Sequence, residues 1–187
     1  MWQYYKACLV HNVQDIKIIS PGGRKLMEHS WYGNEDMLRV EKLLTEHRYS
    51  VIWLWDYSQC AAFAWGSNLK EEKDRDQDYE EGMLLNRKEG MVYYLLNHTR
   101  CEYINMTEQE NNPELKDGYG SVIHPLPLLC RADTEEAGGD YHAELNKDLQ
   151  GIWCGNEIQV VEVPAERAKD IEWLSYEDKT NEYFFKE

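Results

Sequence analysis

The segment 123–129 constrains the fold most, because it reads Ile-His-Pro-Leu-Pro-Leu-Leu. Its apolar residues are interleaved with two prolines, and proline has no N–H to donate to a neighbouring strand. A central strand is therefore excluded, and we expect an edge strand or an extended segment packed on the core. A polar segment containing Gly138-Gly139-Asp140-Tyr141-His142 follows, and this mixture of residues is typical of binding loops.

The chain has 187 residues, of which 42% are hydrophobic, so we expect a single domain over 1–187 with a core of its own. Seven Trp and 13 Tyr stand against three Phe. These amphipathic rings suit half-buried surfaces, and an interface between copies of the chain would also use them. The five cysteines are scattered without a C-x-x-C pair, which is typical of reduced thiols in a cytoplasmic protein.

The net charge of −15 is unevenly distributed. Residues 1–50 hold seven Lys/Arg and six Asp/Glu, whereas residues 51–187 hold 13 and 29, a net charge of −16. An acidic surface repels phosphates and anionic lipids, so we expect no direct binding to nucleic acid or membrane. It favours a basic macromolecule as partner, although solubility alone also explains such a charge. The N-terminal residues have no long apolar run, so we expect no signal peptide or membrane span.

Hydrophobic periodicity predicts an α+β fold with one mostly antiparallel sheet. Predicted strands cover 4–11, 15–20, 51–55 (a central strand), 91–96, 101–106 and 157–163. The main helix is predicted over about 34–47, with Asn34 as its N-cap. A short C-terminal helix is expected to begin at Pro164 and to contain Ala168, Ile171 and Leu174. Residues 107–119 and 131–151 are expected to form loops, and 69–82 a mobile acidic insertion or a solvated helix.

The loop before the main helix is the first candidate site. It carries Arg24, Lys25, His29 and Ser30 and leads to Asn34. Unpaired N–H groups at a helix N-terminus attract anions, and these side chains would add donors. The alternative is ordinary helix capping around a packed Trp31.

Two further candidates carry acidic and histidine side chains. Asp56 and Tyr57 follow the predicted strand 51–55, where polar residues commonly face a cleft or cap a turn. His124, Asp140, Tyr141 and His142 would supply acid, base or ligand groups if the loop folds back. The sequence contains no H-x-H or H-x-x-x-H pair, so we predict no metal site and no cofactor.

The tip of the hairpin predicted at 91–106 is a candidate partner contact through Asn97, His98 and Arg100. Polar residues also collect at such tips for solvation alone. The sequence lacks the motifs of phosphate-binding loops, dinucleotide-binding folds, serine hydrolases and zinc proteases. The chain therefore carries no recognised signature of an enzyme.

Several segments resemble an uncharacterised family of small proteins from phages, prophages and gut-type bacteria. They are Lys25-Leu26-Met27-Glu28-His29-Ser30-Trp31 with Asn34, Trp53 with Asp56-Tyr57, Asn97-His98-Thr99, Ile123-His124-Pro125-Leu126-Pro127-Leu128-Leu129, and Gly138-Gly139-Asp140-Tyr141. The loop before Gly138 departs from the family pattern, because it is rich in Asp and Glu where the family has glycine. The resemblance implies a mobile-element origin, and hence the host cytoplasm, but no activity.

Two functions from different classes follow. The first is a non-catalytic binding protein of a mobile element, with a counter-defence role, that modulates a basic macromolecular partner. The second is a protein that binds or hydrolyses a nucleotide-like ligand near His29, Asp56, His124 and Asp140. A third reading is an assembly role through a Trp- and Tyr-rich interface.

Overall fold

The computed structural model describes residues 4–55, 71–72, 80, 82–132 and 146–186. Within these ranges the strands are β1 Tyr5–Asn12, β2 Asp15–Ile19, β3 Tyr49–Trp55, β4 Glu71–Glu72, β5 Met91–Asn97, β6 Glu102–Asn105, β7 Glu157–Pro164 and β8 Glu177–Asp178. The α-helices are α1 Glu35–Glu46, α2 Met106–Asn111 and α3 Pro125–Leu129. Single 3-10 turns cover Leu26–Glu28, Pro113–Leu115, Lys147–Leu149, Ala165–Arg167 and Glu172–Ser175.

One sheet contains these eight strands in the order β4-β2-β1-β3-β7-β5-β6-β8. Neighbouring strands are antiparallel except in the two outermost pairs, β2–β4 and β6–β8, which are parallel. The predicted α+β class, with a mostly antiparallel sheet, is confirmed. The predicted hairpins, the central position of β3 and the strand at β7 are confirmed as well.

The strand order repeats around the contact between β3 and β7. Each half contains a hairpin, a helical connection and a third strand that pairs with the first strand of the hairpin. A two-residue strand then lies parallel to the second hairpin strand, β4 beside β2 and β8 beside β6. The two halves therefore have the same topology, although the sequence shows no repeat.

Helix α1 confirms the predicted main helix. The Asn34 side chain accepts hydrogen bonds from the backbone N–H groups of Asp36 and Met37, which stabilises the first turn. Met37, Val40 and Leu44 lie on the buried side and are 0% exposed. Each such side chain contributes about 1.5–3 kcal/mol by leaving water. This buried side fixes α1 over the face of the sheet near β7.

The second face of the C-terminal half is also covered. Tyr94, Leu96 and Tyr103 are buried there, and Trp173 and Tyr176 of the C-terminal segment pack against this cluster. Trp173 meets Tyr94 edge-on with ring centroids 6.0 Å apart, which is a favourable aromatic arrangement. Both faces of β5, β6 and β7 are therefore part of a packed interior.

The proline-containing segment differs from its prediction, since Pro125–Leu129 forms helix α3 and is fully buried. Both prolines lie in the first turn, where backbone N–H groups have no acceptor within the helix. The His124 side chain caps this turn by accepting from Leu126 N–H. The expected extended backbone is confined to the residues before it, where Ile123 forms a bridge with Trp31.

Two other sequence-based predictions need correction. The loop predicted at 107–119 contains α2, which begins where Asn105 accepts from Glu108 N–H. The single C-terminal helix is replaced by two 3-10 turns, 165–167 and 172–175.

Two predicted segments lie partly outside the described residues. The structure describes only 71–72, 80 and 82 of the segment 69–82, and β4 lies at 71–72. Residues 133–145 of the predicted loop 131–151 lie outside the described ranges.

Candidate functional site

The residues before α1 that were predicted to bind an anion form hydrogen bonds with other residues of their own loop. Arg24 Nη1 donates to the Glu28 carbonyl at 3.4 Å, and the Lys25 backbone N–H donates to the Glu28 carboxylate at 2.8 Å. The Ser30 hydroxyl donates to the Leu26 carbonyl at 2.5 Å and is fully buried. Together with the cap at Asn34, this geometry is that of a structural turn that leads into a helix.

His29 is a neutral histidine of the core. It is 0% exposed, and its Nε2 accepts a hydrogen bond from Trp53 Nε1–H at 3.0 Å. Its proton is therefore on Nδ1, which lies 2.9 Å from the Lys25 carbonyl and donates to it. Burial lowers the pKa of His29 to about 4, against the opposing effect of the Lys25 carbonyl. Both ring nitrogens are occupied, so neither faces a ligand.

His124 has the opposite tautomer. Its Nδ1 accepts from the Leu126 backbone N–H at 3.2 Å, so its proton is on Nε2, which donates to Glu41 Oε1 at 3.0 Å. The His124 backbone N–H donates to the Ser30 carbonyl at 2.9 Å. Two of the predicted site segments therefore meet in space, but they meet inside the core, since Ser30 and His124 are both 0% exposed.

Glu41 is the centre of a buried polar cluster that the sequence analysis missed. Its side chain is 0% exposed, and Oε1 accepts from both His124 Nε2 and Arg87 Nη2, each at 3.0 Å. No described residue donates to its Oε2. Arg87 also lies 3.4 Å from Glu110 and places its guanidinium 4.5 Å from the centre of the Tyr93 ring. This cluster joins α1, α2, α3 and the segment before β5.

A sequence signal for Glu41 exists. Glu41 follows Met37 by four positions and precedes Leu44 by three, so it lies on the apolar stripe of the helix. A carboxylate on that stripe predicts a buried ion pair. Arg87 carries no comparable local pattern.

The hairpin tip is bonded to the rest of the sheet. Asn97 is 0% exposed, and its side chain donates to Asn156 at 2.9 Å and accepts from the Arg100 N–H at 3.0 Å. The two ring nitrogens of His98 lie 2.9 Å from Gln159 Oε1 and 3.1 Å from the Tyr176 hydroxyl. Of the three candidate contact residues, only Arg100 has an exposed side chain, at 44%.

Glu102 is a second buried carboxylate that the sequence analysis missed. Its Oε2 accepts from Trp153 Nε1–H at 2.8 Å and from Arg100 Nε–H at 3.0 Å, and its Oε1 accepts from the Tyr183 hydroxyl at 3.0 Å. Burial raises the pKa of Glu102, but these three hydrogen bonds together outweigh burial and hold it below its usual 4.5. The side chain fastens the C-terminal segment to the sheet.

A cavity of about 530 Å³ lies between α1, β7 and the segment 82–88. Lys42 and Thr45 line it from the helix, and Lys88 from the segment. The Glu162 carboxylate on β7 accepts from Lys88 Nζ at 2.7 Å and from the Tyr93 hydroxyl at 3.2 Å. The bond from Lys88 lowers the pKa of Glu162. We name this cavity the α1–β7 cleft; none of the predicted site residues lines it.

The remaining predicted site residues, Asp56, Tyr57, Asp140, Tyr141 and His142, lie outside the described residues. In the described ranges that precede them, the Ala132 N–H donates to the Trp53 carbonyl at 3.0 Å. Within the described ranges, no three His, Cys, Asp or Glu side chains are grouped as metal ligands. In the same ranges, no helix is long and apolar enough to cross a membrane.

Comparison with known proteins found no match, whether with a protein-family model, a curated protein or a solved structure.

Proposed function

We propose that this chain is a small acidic binding protein of a mobile element that modulates a basic macromolecular partner without catalysis. The observation that carries the proposal is the charge of −16 over residues 51–187. Charge of one sign on a small protein steers partners of the opposite sign and suppresses binding to phosphates. A counter-defence role in the host cytoplasm fits this behaviour.

Part of this charge lies at one end of the sheet. Glu108, Glu177, Asp178 and Glu182 are exposed there, and we call these four residues the β8 edge. Burial and, to a lesser extent, the nearby carboxylates of Asp178 and Glu108 together raise the pKa of Tyr103 to about 12. Glu177 and Glu182 share an ion pair with Lys179, so the four carboxylates and this lysine leave a net charge of −3 for a basic partner.

The hydrogen bonds of His29 and His124 are the second observation that supports a non-catalytic protein. A histidine that acts as an acid–base catalyst needs a ring nitrogen that can reach the substrate. The ring nitrogens of His29 and His124 are instead bonded within the core. Their geometry favours a structural role and, with it, the non-catalytic proposal.

A site for a nucleotide-like ligand near His29, Asp56, His124 and Asp140 is the second candidate. Its two histidines are buried and its two aspartates lie outside the described residues. The α1–β7 cleft has the size of a small-molecule site, but none of these four residues lines it, so it does not support a ligand site near them.

Salt dependence tests the proposed function. We expect the tagged protein to capture a basic partner from a host lysate at about 50 mM NaCl, and at least tenfold less of it at about 500 mM. Neutralising the β8 edge by Glu177→Gln with Asp178→Asn should weaken capture. The Asn side chain keeps the acceptor for Thr180 N–H that Asp178 provides.

The matched control is Glu166→Gln with Asp170→Asn, which removes two exposed carboxylates elsewhere and should bind as the native chain does. Capture that is equally strong at both salt concentrations, or no basic partner at either, would contradict the proposal.

A further inference from the structure

Two exposed histidines from distant parts of the sequence lie side by side at the C-terminal end of α1. His11 is the penultimate residue of β1, and His47 directly follows α1. Their ring centres are 5.0 Å apart, and the two ring planes are inclined by 32°. Both residues are exposed to solvent. They form no H-x-H or H-x-x-x-H pair in the sequence, so only the fold brings them together.

A buried tyrosine holds both rings in place. Tyr49, the first residue of β3, is 1% exposed. Its ring meets that of His11 edge-on with centres 5.8 Å apart, and that of His47 with centres 6.2 Å apart. His11 is held from β1, which pairs with β3, and the His47 N–H donates to the Leu43 carbonyl of α1 at 3.2 Å. The core therefore sets the positions of the two imidazoles.

The tautomer of His11 presents a lone pair to solvent. Its Nδ1 lies 2.9 Å from the Arg48 carbonyl, which can only accept, so Nδ1 carries the proton and Nε2 carries the lone pair. Histidines that bind a metal ion typically donate their other ring N–H in this way, which orients the ring. Within the described part of the chain, no group bonds Nε2 of His11 or either ring nitrogen of His47.

The separation of the two rings fits a shared metal ion. An imidazole nitrogen about 2.1 Å from a metal ion places the centre of its ring about 3.2 Å from that ion. Two such rings have centres about 4.5 Å apart when they bind at a right angle, and about 5.2 Å apart at the tetrahedral angle. The observed 5.0 Å lies between these two values.

The charges around the pair are compatible with a cation. The Arg48 side chain follows His47 in the sequence, and its Nη1 lies 3.8 Å from the Glu157 carboxylate, which balances its charge. The chain as a whole has a net charge of −15, and such a charge raises the local concentration of cations. Neutral imidazoles select zinc, copper and nickel ions over magnesium and calcium, which prefer oxygen ligands.

We propose that His11 and His47 together bind one divalent transition-metal ion of the class that prefers imidazole, through one ring nitrogen each. Water completes the coordination, because both residues are open to solvent. The ion would link the end of β1 to the end of α1. This inference goes beyond the proposed function, since it requires neither a basic partner nor the acidic β8 edge.

Metal titration of the untagged protein tests the inference. Isothermal titration with NiCl₂ at about pH 7.5 should show one ion bound per chain, because both imidazoles are then neutral ligands. His11→Gln and His47→Gln should each bind Ni²⁺ at least tenfold more weakly, because either substitution leaves a single ligand. His98→Gln is the control, since both ring nitrogens of His98 are bonded within the protein, and it should bind Ni²⁺ as the native chain does.

Thermal unfolding checks that the variants are folded. Without metal, His11→Gln and His47→Gln should melt close to the native chain, because both positions are exposed. Ni²⁺ should raise the melting temperature of the native chain and leave that of the two variants nearly unchanged, since a ligand that binds only the folded state stabilises it.

NMR locates the ion. Paramagnetic Ni²⁺ should shift or broaden the amide signals of His11, Arg48 and Tyr49 before those of other residues. The inference is wrong if Ni²⁺ does not bind, or if the strongest changes lie elsewhere. It is also wrong if either single variant retains the native affinity, since the two histidines would then not share one ion. None of these results bears on the proposed function.

Discussion

Replacing Arg87 with methionine should lower the free energy of unfolding by about 3–5 kcal/mol. Arg87 supplies the cation that faces Glu41, whose side chain is 0% exposed. Without it the carboxylate stays buried, with only the Nε2–H of His124 as a donor among the described residues. Methionine keeps most of the apolar stem of arginine beside the Tyr93 ring, so the loss reports mainly the uncompensated charge. Urea denaturation of the two proteins measures it.

The control variant removes the negative charge of Glu41 together with its cationic partner Arg87. The double variant Arg87→Met with Glu41→Gln leaves a neutral amide that still accepts from His124, so we expect it to be more stable than Arg87→Met alone. Glu41→Gln alone should cost less than Arg87→Met, because the Arg87 side chain is 23% exposed and retains Glu110 nearby. If the double variant is as unstable as the single one, the loss comes from packing and not from the buried charge.

Replacing Glu102 with alanine should cost about 3 kcal/mol or more, since it removes the acceptor of three hydrogen bonds at once. The indole N–H of Trp153 is fully buried and would be left without a partner. Glu102→Gln should cost much less, because its amide oxygen can accept from Trp153 while the Tyr183 hydroxyl turns to accept from its NH₂. Thermal or urea unfolding of both variants checks the difference, and equal losses would contradict the assigned hydrogen bonds.

In the native chain, low pH should remove the stability that the Glu102 carboxylate contributes. The folded-state pKa of Glu102 is below the usual 4.5. The unfolded chain therefore binds a proton first, and the stability that this carboxylate contributes above about pH 4.5 is lost as the pH falls through its folded-state pKa. In Glu102→Gln this component of the acid dependence should disappear.

Elements with local signals were predicted well from the sequence. Asn34, the acidic first turn and the apolar repeat define α1. Aromatic and β-branched residues beside a polar tetrad indicate β5, and alternating apolar residues indicate β7. The segment 125–129 was mispredicted because two prolines fit the first turn of a short helix as well as an extended edge strand. The order of the strands, and with it the symmetry of the two halves, depends on pairings between distant segments.

The candidate site was less predictable, because its contacts join residues far apart in sequence. The hydrogen bond from Trp53 fixes the tautomer of His29, and His124 is bonded to Glu41, which is 83 positions away. The α1–β7 cleft exists because β3 begins where it does relative to β7, and no local pattern carries that information. Glu41, a charge on an apolar stripe, is the residue that the sequence could have indicated.

The central claim is that the conspicuous histidines His29 and His124 are structural, which the non-catalytic proposal requires. ¹⁵N NMR of the imidazole rings tests this claim most directly. We expect the proton of His29 on Nδ1 and that of His124 on Nε2, with His29 remaining neutral from about pH 8 to about pH 5 because its pKa is about 4. A His29 ring that titrates near its ordinary 6.5, or tautomers opposite to these, would contradict the assigned hydrogen bonds and the structural role of the two histidines.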